Sequence, residues 1–171
     1  MRIASVAQVG GYRDDLIAGE EPELCVRLRA KGSQVWRLDA EMTLHDAAMT
    51  RFSQWWKRST RAGYAFAEGA RLHGAPPERH WVRESRSAWV WGLGLPLALL
   101  LLAMVWPAAL WGFLVYPLQV ARLALKGGSA FKPRLARAFF LVLGKFAEAA
   151  GQLKFLRQRL HGGPARLIEY K

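Results

Sequence analysis

The sequence predicts an α/β segment followed by an α-helical membrane region. Two short stretches between residues 34 and 45 alternate in the manner of β-strands, and they follow a segment with helix-start and helix-stop signals. Residues 88–121 then form a run of 34 positions without a charged side chain. Apolar residues at helical spacing return from residue 139 onward. We therefore expect an N-terminal α/β remnant, a helical hairpin in a membrane, and amphipathic helices beside it.

Composition restricts the possible classes of protein. A hydrophobic content of 52% over 171 residues excludes a disordered tail. The net charge of +12 suits anionic lipid, a phosphorylated substrate or nucleic acid as a partner. Cys25 is the only cysteine, so the chain forms no internal disulfide. Residues 1–11 do not resemble a signal peptide, and we expect the segment before the apolar run to face the cytoplasm.

The segment before residue 50 contains the α/β signals. Gly10-Gly11-Tyr12 predicts a turn. The sequence Glu20-Glu21-Pro22-Glu23 is typical of a first helical turn, because carboxylates stabilise the positive end of the helix dipole. Gly32 is expected to end this helix. The stretches Gln34–Leu38 and Met42–His45 are then predicted to be strands.

An aromatic helix is predicted next, from about Thr50 to Leu72. Its Trp55 and Trp56 lie on one side at helical spacing, and arginines favour the other side. An aromatic stripe beside arginines, ahead of a membrane segment, is typical of a helix at the membrane interface. The sequence Gly74-Ala75-Pro76-Pro77 predicts a linker after this helix.

The charge-free run is too long for one perpendicular membrane crossing. As a single helix it would extend about 51 Å, against a hydrocarbon core of ~30 Å. Trp106-Pro107 lies near its middle, where proline disfavours helix continuation, so a hairpin is predicted. Basic residues flank both ends, which places both ends on the cytoplasmic side of an inner membrane. Two full crossings and a re-entrant hairpin both satisfy this pattern, and a buried hairpin in a soluble protein is the remaining alternative.

The C-terminal part predicts a basic linker, a helix and a short tail. Its apolar residues recur at helical spacing, while Lys145, Glu148, Gln152 and Arg159 lie elsewhere. The apolar set is Phe139, Leu143, Phe146, Ala150, Leu153 and Leu156. Such a helix lies either on the membrane surface or against its own protein. The chain thus divides into an α/β segment, an interfacial helix, a linker, a hairpin and a C-terminal region, at residues 1–49, 50–75, 76–87, 88–125 and 126–171.

The order of these features resembles the C-terminal part of family 2 glycosyltransferases. Val9–Gly32 contains a Gly-Gly-aromatic turn, an acidic pair, and then Leu, a small residue and an Arg-Leu-Arg helix. The strand Val35–Leu38, His45 and the aromatic helix Gln54–Arg61 follow in the family's order. The resemblance covers about Arg2–Gly69. It implies a remnant of the nucleotide-sugar transferase type A fold.

The resemblance also implies a reaction and its residues. The family transfers a sugar from a nucleotide-sugar to an acceptor, here a lipid-linked or polysaccharide acceptor, with inversion at the anomeric carbon. Glu21 stands where the family usually has the aspartate that deprotonates the acceptor, and Glu20 is its neighbour. A divalent cation, Mg²⁺ or Mn²⁺, holds the donor diphosphate in the family, and His45 is the candidate metal ligand. The candidate substrate-binding residues are Gln54, Trp55, Trp56 and Arg58.

The chain departs from the family in two respects. It contains no Asp-x-Asp metal motif and no glycine-rich phosphate loop after a strand. The order of residues in Gln54–Arg58 also differs from the Gln-Arg-Trp element of processive members, so polymer synthesis is not predicted. We therefore expect a transferase fragment that is inactive alone.

Two other interpretations use the same residues. A small basic membrane adaptor would bind anionic lipid or a partner enzyme, but it leaves the acidic motif unexplained. Nucleic-acid binding ranks last, because the basic residues flank the apolar run and form no separate basic module. At the level of single residues, the alternative for Glu20, Glu21 and Glu23 is that they only stabilise the helix dipole, and a lone histidine such as His45 is more often structural than a ligand.

Overall fold

The computed structural model describes residues 2–36, 39, 49–126 and 131–162. Regular structure within these ranges is helical throughout. A π-helical segment, Val90–Gly94, and a 3-10 segment, Pro107–Leu114, lie between α-helices. The α-helices are α1 (Ile3–Gln8), α2 (Glu20–Ala30), α3 (Phe52–His73), α4 (Val82–Trp89), α5 (Leu95–Ala103), α6 (Val115–Leu125) and α7 (Phe131–His161).

The α/β remnant expected from the sequence is wrong. The described residues contain no strand, and residues 34–36 of the first expected strand are irregular. The last two positions of that expected strand lie outside the described residues. The second expected strand, Met42–His45, lies outside the described residues. A strand satisfies its backbone N–H and C=O groups only beside another strand, and alternation in sequence does not supply that neighbour. The described part of the chain is all-α.

The two longest helices, α3 and α7, pack against each other through glycines. A Cβ atom at Gly63 would overlap the backbone of Glu148. A Cβ atom at Gly151 would overlap the backbone of Thr60 on the other helix. Glycine at these positions therefore allows the two backbones to approach more closely than any side chain would permit, as in helix pairs within membranes.

The packed face of α7 differs from the apolar face indicated by the sequence. Gln152, expected on the polar side, is fully buried, whereas Leu153 and Leu156 are 39% and 41% exposed. Five of the seven buried residues of α7 are alanine or glycine. The seven are Ala138, Gly144, Ala147, Ala149, Gly151, Gln152 and Phe155. Of the two alternatives for this helix, packing against its own protein therefore holds. Several large apolar side chains of α7, among them Phe139 and Leu141, are exposed, whereas Phe155 is buried.

Two hydrogen bonds join α4 to α7. The Ser85 hydroxyl donates to Gln152 Oε1 at 2.8 Å, and Gln152 Nε2 donates to the Ser85 carbonyl oxygen at 3.0 Å. In the following π-helical segment, Gly92 lies so close to the Lys145 carbonyl oxygen that a Cβ atom would overlap it. The N-terminal part of the hairpin is thus fixed to α7 at two successive levels.

Two helical stretches are long and apolar enough to cross a membrane, Val82–Ala103 and Pro107–Leu125. The residues between them, Met104–Trp106, lie at the step where the sequence predicts a break. Only 6% and 11% of the most apolar windows of these stretches are buried inside the protein. A helical hairpin in a soluble core buries its apolar side chains, so this exposure favours association with a membrane.

We predict that Gly151→Ala destabilises the protein. The added methyl group overlaps the backbone of α3, and overpacking of this kind costs ~1–3 kcal/mol, which exceeds the gain of up to ~1 kcal/mol in helix propensity. The measurement is the midpoint of thermal unfolding in detergent, followed by tryptophan fluorescence.

Gly144→Ala is the matched control for this prediction. Gly144 lies in the same helix, and its Cβ atom would meet its nearest neighbours at an ordinary 3.8 Å. This variant is expected to be as stable as the parent chain or more stable. Equal midpoints for the two variants would contradict the proposed backbone contact.

Candidate functional site

Arg27 holds the turn that precedes α2. Its Nε donates to both carboxylate oxygens of Glu23, at 3.0 and 2.9 Å. Its Nη1 donates to the Val9 carbonyl oxygen, and its Nη2 donates to the Gly11 carbonyl oxygen at 2.7 Å. A planar guanidinium with several donors suits this arrangement, because one side chain satisfies a carboxylate and two backbone carbonyls. The Gly10-Gly11 turn is thereby tied to α2.

Glu23 is the buried acid of this motif. Its side chain is 2% exposed, and Oε1 lies 2.9 Å from His73 Nε2 near the end of α3. Burial raises the pKa of the Glu23 carboxyl, but the hydrogen bonds from Arg27 and His73 outweigh burial and lower the pKa overall. Glu23 therefore stays ionised and joins α2 to α3.

Trp81 fixes the residue immediately before α2. Gly19 has a φ of 89°, in the left-handed region, and a Cβ atom there would overlap the Trp81 indole ring. The same ring stacks on His80 with centroids 4.3 Å apart and meets Phe66 edge to face at 5.4 Å. Both the backbone conformation and the close ring therefore require glycine at position 19.

Ile17 anchors the middle of the loop between the turn and α2. Its side chain is 3% exposed and belongs to a small core with Tyr64 of α3 and Phe155 of α7. The Arg61 guanidinium of α3 donates to the Ile17 carbonyl oxygen, with Nε at 3.0 Å. Arg27 thus holds the turn at the start of this loop, Arg61 holds its middle, and Trp81 packs on its last residue.

The anchored loop presents Glu20 and Glu21 in the first turn of α2. Glu20 is half-buried and Glu21 is exposed. Neither carboxylate has a hydrogen bond or ion pair with another described residue, in contrast to Glu23. A carboxylate in this position is stabilised by the positive end of the helix dipole and is accessible to a hydroxyl group of a ligand.

The candidate substrate-binding residues lie at the opposite end of α3 from His73. Gln54 Oε1 accepts hydrogen bonds from the backbone N–H groups of Thr50 and Arg51, at 3.2 Å each, so it caps α3. Trp55 packs on Phe140 of α7 with ring centroids 5.0 Å apart. These contacts are structural.

Trp56 and Arg58 also make contacts within this region. Trp56 lies 6.0 Å from the Phe52 ring, centroid to centroid, and Arg58 Nη1 lies 3.9 Å from Met49 Sδ. Within the described ranges, no hydrogen bond or ring contact joins the residues at positions 54–58 to Glu20 or Glu21. The structure therefore does not bring the two predicted groups together by direct contact.

The described residues do not form a metal site. Over residues 2–36, 39, 49–126 and 131–162, no three His, Cys, Asp or Glu side chains are grouped to hold a metal ion. His45, the predicted ligand, lies outside these ranges. The cation expected from the resemblance therefore has no cluster of ligands in the described structure.

Two features near the acidic motif were missed by sequence reasoning. The Glu23–Arg27 pair has the i, i+4 spacing that signals a helical ion pair, and this signal was available in the sequence. Glu68 of α3 gives no such signal. Its Oε2 is buried without a hydrogen-bond partner in the described structure, and burial together with the charge of Asp15 raises its pKa to about 7.

Comparison of the chain with known protein families, with curated proteins and with solved structures found no significant match.

We predict that the stability of the Glu68→Gln variant relative to the parent chain increases between about pH 5 and pH 8. The pKa of Glu68 is about 7 in the folded protein and 4.5 ordinarily, so the folded state retains a proton that the unfolded state has released. The parent chain therefore loses stability as pH rises through this interval, and the amide variant does not. Thermal midpoints of both proteins across the interval test this. A difference that does not change with pH would show that Glu68 titrates normally.

Proposed function

We propose that this chain is the acceptor side of a membrane-associated glycosyltransferase, with Glu21 as the base. The observation that carries the proposal is the position of Glu21, exposed at a helix start whose preceding loop is anchored by Arg27, Arg61 and Trp81. General-base catalysis requires a carboxylate held in a fixed direction by rigid neighbours. The ordered motif of Val9–Gly32 supports the same assignment by resemblance.

In the proposed reaction, an acceptor hydroxyl oxygen attacks the anomeric carbon of the donor sugar. A new carbon–oxygen bond forms as the bond to the nucleoside diphosphate breaks, and the diphosphate leaves with the bonding electron pair. The hydroxyl proton passes to the Glu21 carboxylate, and attack opposite the leaving group inverts the anomeric carbon. Glu20 precedes Glu21 in the same helical turn and is half-buried.

The proposed location is the inner membrane, with both ends of the hairpin in the cytoplasm. The first stretch spans 22 residues, and the second spans 19 residues that include a 3-10 segment. At rises of ~1.5 Å per residue for helix and ~2.0 Å for the 3-10 segment, each whole stretch extends about 33 Å, close to the ~30 Å of the hydrocarbon core. The first stretch includes Arg83, Glu84 and Arg86, so its charge-free part, residues 88–103, extends only about 24 Å. Snorkelling of the arginines and local thinning of the bilayer accommodate a crossing of this length, and we propose two full crossings, although the basic flanks fit a re-entrant hairpin equally well. Such a location brings Glu21 near lipid-linked acceptors.

A basic membrane adaptor is the second candidate. The observation that favours it is the set of arginines at the start of the hairpin, which have no acidic partner in the described structure. This candidate predicts binding to anionic lipid or to a partner enzyme without any sugar transfer.

We predict that Glu21→Gln lowers sugar transfer by at least about 100-fold, since a general base contributes ~10²–10⁴-fold. The amide keeps the shape of the side chain but accepts no proton. The measurement uses native membranes of the host carrying the variant gene, with radiolabelled nucleotide-sugars as donors and lipid extracts as acceptors. Asp14→Asn, which removes an exposed charge from the neighbouring turn, is the control and is expected to retain transfer. Unchanged transfer by Glu21→Gln would exclude Glu21 as the base.

We predict that residue 105 is accessible from outside the cell. In a Cys25→Ser background, Val105→Cys places a thiol in the exposed turn of the hairpin. A membrane-impermeant maleimide should label this thiol in intact cells, and it should label Lys126→Cys only after permeabilisation. A Val105→Cys variant that is labelled only after permeabilisation would establish a re-entrant hairpin.

A further inference from the structure

An open cavity of about 900 Å³ lies where the hairpin joins the rest of the protein. Three arginines line it, Arg79 from the loop before α4 and Arg83 and Arg86 from α4 itself. The remaining wall includes Val90 and Trp91 of the first membrane-length stretch and Gln119 of the second. The cavity thus combines a cationic side with an apolar side.

The three arginines are available to a ligand. All three are exposed, and none of the three guanidinium groups forms an ion pair or hydrogen bond with a described residue. Arg83 and Arg86 are three positions apart, so they lie on one face of α4. Like charges this close repel one another, and an anion that bridges them relieves the repulsion.

The loop that carries Arg79 is fixed before any ligand binds. Glu78 accepts hydrogen bonds from Arg29 of α2 at 3.0 and 2.7 Å. The Arg79 backbone N–H donates to the Ala75 carbonyl oxygen at 3.1 Å. Arg79 has a φ of 45°, in the left-handed region that residues other than glycine seldom adopt. An unusual backbone conformation held by its neighbours is characteristic of binding sites.

The two membrane-length stretches are joined beside the cavity. The Tyr116 hydroxyl of α6 donates to the Trp91 carbonyl oxygen at 2.7 Å, and the two rings meet edge to face. Gln119 follows Tyr116 by three positions on the same helix, so it lies on the same face of α6 and lines the cavity together with the arginines. The site therefore lies between two helices whose relative position is fixed.

We infer that this cavity binds the headgroup of an anionic glycerophospholipid. Guanidinium groups suit a phosphodiester, because their paired N–H donors match two phosphate oxygens. Val90 is 50% exposed and continues into the apolar surface of the hairpin, where acyl chains would lie. Basic pockets between membrane helices on the cytoplasmic side recognise anionic headgroups in this way. The inference does not depend on sugar transfer.

The test uses native mass spectrometry of the full chain in detergent, titrated with phosphatidylglycerol or phosphatidylcholine. We expect preferential binding of phosphatidylglycerol, and a loss of about tenfold or more in the triple variant Arg79→Gln, Arg83→Gln, Arg86→Gln, because charge-assisted hydrogen bonds are lost. The matched control changes Lys154, Arg157 and Arg159 of α7 to Gln. It removes the same charge from exposed positions away from the cavity and is expected to retain binding.

Three results would overturn the inference. Equal losses in both triple variants would show attraction to net charge and no specific site. Equal binding of the two lipids would exclude recognition of the anionic headgroup. Binding of inorganic phosphate as tight as that of phosphatidylglycerol would assign the cavity to free phosphate. If the first triple variant fails to fold, Arg79→Gln alone, which changes a loop position, is expected to weaken binding by about threefold and replaces it.

Discussion

The close contact between α3 and α7 is the constraint on which the rest of the structure depends. Gly63 and Gly151 bring the two backbones together, and no larger residue fits at either position. α4, the π-helical segment and α6 pack directly on this pair, and α5 packs on the π-helical and 3-10 segments of the hairpin. Because small residues form much of the α3–α7 contact, several large apolar side chains of α7, among them Phe139 and Leu141, remain exposed, as does much of the hairpin. This is the arrangement expected when lipid, and not a protein core, covers the apolar surface.

The acidic start of α2 is attached to this helical pair by side chains. Arg61 and His73 of α3 reach the loop and the first turn of α2, and Trp81 closes over Gly19. The motif therefore consists of two kinds of acid. Glu23 is buried and structural, whereas Glu21 is exposed and has no partner in the described structure. Sequence alone does not separate these roles, since three glutamates occupy the same helical turn.

Local signals were predictable from the sequence and long-range packing was not. The break in the apolar run was predictable from Pro107, and the start of α2 was predictable from the residues of its first turn. The strand expected at residues 34–38 needed a neighbouring strand, which local alternation cannot reveal. The buried side of α7 was misassigned because hydrophobicity was taken as a sign of burial. Gln152 is buried through its bonds with Ser85, while Leu153 faces outward. Gln54, predicted to bind substrate, accepts a hydrogen bond from the Arg51 backbone N–H and so caps α3, a role that depends only on residues close to it in sequence.

We propose that this helical chain lies in a membrane with the acidic start of α2 in water. Spin labels on a Cys25→Ser background, one at Leu101 of the hairpin and one at Glu21, test it in phosphatidylglycerol-containing vesicles. We expect electron paramagnetic resonance to show relaxation of the Leu101 label by oxygen, which partitions into lipid, and of the Glu21 label by a water-soluble nickel chelate. Protection of the Leu101 label from both reagents would show that protein covers the hairpin and would contradict its insertion into lipid.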